Sequence, residues 1–204
     1  MEIIYEDKAV IVVYKEAGLA VESRRVGEMD LESLLLAELA RRSGQEGRPP
    51  LYMVHRLDQP VEGLVVFART KAAAASLSAQ VQDGRMSKIY RAVVSGQIPA
   101  DSGTLTDYLV REKTGNRSRV ARPGEPGAKK AVLDYRKLDD QTLEINLHTG
   151  RHHQIRVQLS HAGMPIRGDV KYGGPPAEKL GLTAWSLSFI HPVTGKRMNF
   201  CMEA

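Results

Sequence analysis

Apolar residues in this chain come in strand-length runs separated by turn-forming residues, and helical patterns interrupt them without regular alternation. Residues 9–14, Ala-Val-Ile-Val-Val-Tyr, read as a buried strand that closes at Ala17-Gly18. Gly63-Leu64-Val65-Val66-Phe67-Ala68 reads as a second, after an irregular polar stretch. Ile89 to Val94, the alternating Leu143, Ile145 and Leu147, and two strands over 184–202 around His191-Pro192-Val193-Thr194-Gly195 extend the pattern. Residues 31–42 read as a helix, with Asp30 as N-cap, Leu31, Leu34 and Leu35 at helical spacing, and Gly44 as stop. Residues 71–82 read as another, between Thr70 and Gly84. Residues 151–162 fit both periods, but Thr149 before them and Gly163 and Pro165 after them favour a helix. This mixture predicts an α+β fold with a mixed, mostly antiparallel sheet flanked by helices and loops.

The 204 residues fit one domain or two halves sharing a core. No stretch approaches the roughly 20 apolar residues of a membrane helix, and the acidic start Met1 to Asp7 lacks a signal-peptide layout. The single cysteine, Cys201, forbids an internal disulfide and reads as a small buried hydrophobe. A cytoplasmic protein is expected. No sequence device for a stable dimer is evident, so a monomer is expected.

Charge is more informative by place than by size. The net charge is +5. Residues 111–130 hold seven basic residues, Arg111, Lys113, Arg117, Arg119, Arg122, Lys129 and Lys130, against Glu112 and Glu125, so this segment carries the whole excess. Gly115, Pro123, Gly124, Pro126 and Gly127 make residues 112–128 read as a long basic loop. A basic segment on a neutral body suits a polyanionic partner, although a solvated surface loop would look the same.

Three constellations could carry chemistry. His55-Arg56-Leu57-Asp58 precedes an apolar strand. Arg56 and Asp58 could form a buried ion pair, or Asp58 could be an ionised nucleophile or base whose charge Arg56 supports. Tyr90 lies between Lys88 and Arg91; it is a core strand residue or a platform for a base, with the cations near phosphates. Thr149-Gly150-Arg151-His152-His153-Gln154-Ile155-Arg156 places basic residues at a helix start, where anions are favoured. His148, His152, His153 and His161 lack metal-ligand spacing, so no metal site is expected.

In chain order these runs resemble the RluA-type branch of the pseudouridine synthase family, which carries a His-Arg-Leu-Asp motif. The resemblance starts at Glu6-Asp7-Lys8-Ala9-Val10-Ile11-Val12-Val13-Tyr14-Lys15 and continues through His55 to Gly63, Lys88-Ile89-Tyr90-Arg91-Ala92 and Thr149 to Val157. It closes with His161 to Asp169 and His191-Pro192. It implies one catalytic domain over 1–204, built as two halves sharing a sheet, with a central RNA-binding cleft. It implies isomerisation of uridine to pseudouridine in rRNA or tRNA, without metal or organic cofactor. By the same resemblance Asp58 is the catalytic aspartate, Arg56 helps hold the flipped nucleotide, Tyr90 packs on the target base, and Arg156 pairs with the aspartate. Lys88, Arg91, Arg117, Arg119, Arg122, Lys129, Lys130 and Arg151 are the expected RNA contacts.

The chain departs from the family pattern in places. Val61-Glu62-Gly63 stands where Thr-Ser-Gly is usual, Lys15-Glu16-Ala17-Gly18 where Lys-Pro-Ala-Gly is usual, His152 where Thr is common and Gln158 where His is common. No S4-type RNA-binding domain precedes the motifs, which leaves RNA capture to the basic segment. Two other readings compete: an RNA-binding protein of this fold without catalysis, and a hydrolase in which Asp169 supplies a second carboxylate.

Overall fold

A computed structural model describes residues 1–23, 27–44 and 47–203. Among them are eleven strands and three helices. In chain order these are β1 (Glu2–Glu6), β2 (Val10–Lys15), α1 (Leu31–Ser43), β3 (Tyr52–Met53), β4 (Glu62–Ala68), α2 (Lys71–Gln82) and β5 (Ser87–Val93). Then follow β6 (Ser102–Arg111), β7 (Ser118–Ala121), β8 (Lys129–Lys137), β9 (Thr142–Leu147), α3 (Gln154–His161), β10 (Leu182–Ile190) and β11 (Arg197–Cys201). The fold is mixed α+β with mostly antiparallel strands, as the patterning predicts. The chain divides into two compact units, Met1–Ser87 with Ala184–Ala204, and Lys88–Thr183.

In the first unit β2 lies between β1 and β4, antiparallel to both. Val10 to Val13 and Gly63 to Ala68 are buried throughout, because both faces of these strands are covered. One face gathers Val10, Val12, Leu64, Val66 and Ala68 with Ala73 and Leu77 of α2 and Phe189 of β10. Each fully buried aliphatic side chain of this kind contributes roughly 1.5–3 kcal/mol. Gln80 fastens α2 to β10, donating to Ile190 O at 2.8 Å and accepting from Ile190 N at 2.7 Å. Helix α1 is capped by Asp30, which accepts from Ser33 N at 2.7 Å and Ser23 N at 2.7 Å. Burial pushes the Asp30 carboxyl up, but those two N–H groups outweigh it and hold it below the ordinary carboxylate range. In β4, Gly63 sits at φ +126°, and a Cβ there would collide with the Ala184 carbonyl. Only glycine allows this approach, a physical reason for glycine at the end of Val61-Glu62-Gly63.

In the second unit the strands run in the order β5-β9-β8-β6-β7, each antiparallel to its neighbour. Helix α3 lies against β6 and β7. Gln154 to Leu159 are all buried. A helix covered on every side has no polar stripe, which is why its periodicity is ambiguous in sequence. Two of its buried side-chain amides donate hydrogen bonds instead: Gln154 Nε2 to Val132 O at 3.1 Å, and Gln158 Nε2 to Asp107 Oδ2 at 2.9 Å.

Three expectations need correction. The helix starts at Gln154 rather than 151, because His153 takes the left-handed conformation at φ 54°. The basic segment is not one long loop: Ser118–Ala121 pairs with Tyr108–Arg111, so a strand crosses it and makes a β6–β7 hairpin. One β-branched residue among four is too weak a strand signal beside so many glycines and prolines. Cys201 is exposed rather than buried. It ends β11, whose alternation puts Arg197, Asn199 and Cys201 on the solvent side.

Candidate active site

Asp58 stands in the segment between β3 and β4, where a turn is closed by Val61 N donating to Asp58 O at 3.0 Å. Leu57 and Val61 are buried on either side, while Asp58 itself is half-buried. His55 Nε2 accepts from Val66 N at 3.3 Å, which moors the start of the motif to β4. Gln59 ties the turn to the segment after β2. Gly18 N donates to Gln59 O at 3.0 Å, and Gln59 Nε2 donates back to Gly18 O at 3.0 Å.

Lys15 is the feature of this site to which the motif reading assigns no role. Its side chain is wholly buried, and its ammonium donates to Leu19 O at 2.7 Å, Gln59 O at 3.0 Å and Glu16 O at 3.1 Å. Burial pushes its pKa down to about 8, against the pull of the Asp58 and Glu62 carboxylates. The same attraction acts on the carboxylates, so a fixed cation faces Asp58 while holding the carbonyl beside it. Tyr14, next in the strand, donates to Glu62 Oε2 at 3.3 Å.

Arg56 takes a different place from a buried partner of Asp58. Its side chain is 64% exposed and lies 3.8 Å from Glu22, so the buried Arg56–Asp58 pair considered from the motif is not formed. Leu57 takes the inward position of this stretch and leaves Arg56 in solvent.

In the second unit, Tyr90 is buried on β5, opposite Ile145 of β9. Lys88 and Arg91 beside it are half-buried, and burial lowers the Lys88 pKa. Arg156 is buried on α3 and forms a bidentate pair with Asp169, Nε to Oδ2 at 2.7 Å and Nη2 to Oδ1 at 2.7 Å. Asp169 is itself 2% exposed. That engagement counts against the hydrolase reading, which needs Asp169 as a working carboxylate.

The expected RNA contacts separate into groups. Arg117, Arg122, Lys129, Lys130 and Arg151 are exposed. Arg151 Nε donates to Lys130 O at 2.9 Å, which brings helix start and β8 together. Arg119 is paired with Glu125, so part of its charge is already engaged. Lys171 joins this group without a sequence signal: its ammonium donates to Asn116 O at 3.2 Å and Gly115 O at 3.4 Å in the hairpin turn. Among the described residues, no three His, Cys, Asp or Glu side chains converge to hold a metal ion. The histidines bond elsewhere: His148 to Asp134 at 2.5 Å, His161 to Asp107 at 3.0 Å, His152 to Ser118 at 2.8 Å and His153 to Tyr172 at 2.6 Å. No helix among the described residues is long and apolar enough to cross a membrane.

Comparison with known proteins bears on this arrangement directly. Residues 9–161 match the family model for RNA pseudouridylate synthase. The chain is 34% identical over 221 residues to a protein of Zymomonas mobilis named ribosomal large subunit pseudouridine synthase D, covering 100% of this chain and 69% of that one. It is 36% identical over 217 residues to the protein of that name from Neisseria meningitidis serogroup A, covering 98% of this chain but 57% of that one. The chain thus spans little more than half to two thirds of these relatives. A solved structure titled human RNA pseudouridylate synthase domain containing 1 shares the fold, with a TM-score of 0.78 at 24% identity over 100% of this chain and 83% of that one. A carboxylate on a tied turn, the ordered motifs around it and these likenesses agree: the chain belongs to the RNA pseudouridylate synthase family, isomerases that convert uridine to pseudouridine in RNA.

Proposed function

We propose that the protein converts specific uridines of large-subunit ribosomal RNA to pseudouridine, acting as a cytoplasmic monomer, with Asp58 as its catalytic residue. The observation that carries this reading is the Asp58 turn, tied to the segment after β2 and faced by the buried Lys15 ammonium. The relatives' names supply the substrate.

The chemistry needs one anionic carboxylate beside the ribose. The N1–C1′ bond breaks, the base turns within the site, C5 bonds to C1′, the C5 proton leaves to solvent, and N1 takes up a proton in its place. Asp58 attacks C1′ directly, or takes the C2′ proton to leave a glycal; both routes use the same ionised group. The target base must first leave its stack, at a cost of a few kcal/mol. By resemblance to the family, Tyr90 packs on the base, Arg56 helps hold the flipped nucleotide, and Arg156 has an active-site role. The cations of the β6–β7 hairpin, with Lys88, Arg91, Lys129, Lys130 and Arg151, hold the phosphates.

The test is pseudouridine mapping of large-subunit rRNA and of tRNA after incubation with wild-type protein and with Asp58→Asn. Wild type produces pseudouridine at discrete sites of rRNA. Asp58→Asn produces none, yet binds RNA within about threefold of wild type, since the side chain keeps its size. Full activity in Asp58→Asn would remove Asp58 from the reaction. Modification of tRNA alone would move the substrate, and RNA binding without pseudouridine in wild type would leave a binding protein of this fold.

A further inference from the structure

Three parts of the second unit meet at one side chain, Tyr172. The hydroxyl accepts from Ser118 N, the first residue of β7, at 2.9 Å. The same hydroxyl bonds to His153 Nδ1, at the cap of α3, at 2.6 Å. His153 is neutral in these surroundings: burial, followed by the charges of Arg156, His152, Lys171 and Arg111, pushes its pKa down to about 3. The Tyr172 ring carries two guanidinium groups, Arg156 at 5.0 Å and Arg117 at 5.5 Å from its centroid. The next-door Lys171 grips the hairpin turn at Gly115 O and Asn116 O. His152 stacks on His153 at 3.8 Å and bonds to Ser118 Oγ and Asn116 Oδ1.

Hairpin and helix are therefore joined through a residue that belongs to neither. Arg117 stands in the basic hairpin, and Arg156 is the buried arginine of α3. Both lie over the same ring, whose hydroxyl bonds the Ser118 backbone N–H and the His153 side chain. We propose that Tyr172 is a positioning residue that couples the two, so that seating the hairpin on RNA phosphate also sets Arg156 for the reaction. This rests on the roles given above to Arg156 and to the hairpin. It adds that Arg117 acts on the rate of reaction as well as on binding.

The experiment measures single-turnover tritium release at saturating enzyme from the C5-tritiated RNA that wild type modifies, with affinity measured separately by filter binding. Tyr172→Phe keeps the ring and loses both hydroxyl bonds. It is expected to lower the saturating rate about tenfold with affinity within about twofold. Arg117→Ala, at an exposed site that leaves the fold intact, is expected to lower the saturating rate about fivefold besides weakening binding. The double variant is expected to fall no more than about twofold below the slower single variant, because both break one connection. A saturating rate unchanged in Arg117→Ala would overturn the proposal, and this holds even where Tyr172→Phe fails to fold. Rate losses that multiply in the double variant would overturn it also. Failure of the underlying reading looks different: Asp58→Asn stays active, or Arg156→Lys keeps the full rate, and the latter overturns the proposal as well.

Discussion

Lys15 makes stability depend on pH in a direction opposite to that of an exposed lysine pair. Its ammonium is wholly buried, and its pKa falls from 10.5 to about 8 on folding. Below pH 8 both folded and unfolded chains hold the proton, and the folded chain bears the full penalty of a buried cation. Between pH 8 and 10.5 the unfolded chain binds more protons than the folded one, so stability rises with pH. From pH 7 to pH 10 this single group adds roughly 2–3 kcal/mol. Other lysines and tyrosines titrate in the same range, so the quantity to measure is a difference. Lys15→Met removes the titration and keeps most of the volume. Urea unfolding of both proteins, followed by the fluorescence of Trp185, the single tryptophan, and by circular dichroism, gives a stability gap at each pH. The gap between wild type and Lys15→Met is expected to move by roughly 2–3 kcal/mol in favour of wild type from pH 7 to pH 10. A flat gap, or one that moves the other way, would refute the reasoning. It would mean that the three carbonyls and two carboxylates outweigh burial and keep Lys15 charged.

Other expected outcomes test the remaining parts. Gly63→Ala forces a Cβ onto the Ala184 carbonyl at a positive φ; a loss of about 3 kcal/mol or more in urea unfolding is expected. Replacing Arg117, Arg119 and Arg122 together by neutral residues should flatten the log–log salt dependence of RNA binding by about two units, nearer two than three because Arg119 is already paired with Glu125. An unchanged slope in filter binding would show that the hairpin does not touch phosphate.

Much of the fold is legible in the chain because its signals are local. Asp30 and Thr70 cap α1 and α2 where their side chains reach a backbone N–H three residues on. The run from Val10 reads as a buried strand because no polar alternation interrupts it. Signals fade where a neighbour far along the chain decides. Four residues from Ser118 form a strand because β6 lies beside them, with little propensity of their own. Helix α3 loses its period because it is covered on every side.

The sequence by itself determined many of the elements, the α+β class, the place of the excess charge and, through its ordered motifs, the family; it also singled out Asp58 as the candidate for the reaction. Tertiary structure decided the partners. It set Lys15 facing Asp58 and left Arg56 in solvent. It gave Arg156 to Asp169 and laid Arg117 and Arg156 over the Tyr172 ring. The reason is range. Capping, turn and periodicity preferences act within a few residues and are written in order along the chain. A buried charge takes whatever carboxylate, carbonyl or ring the packing brings to it, and no spacing in the sequence encodes that meeting.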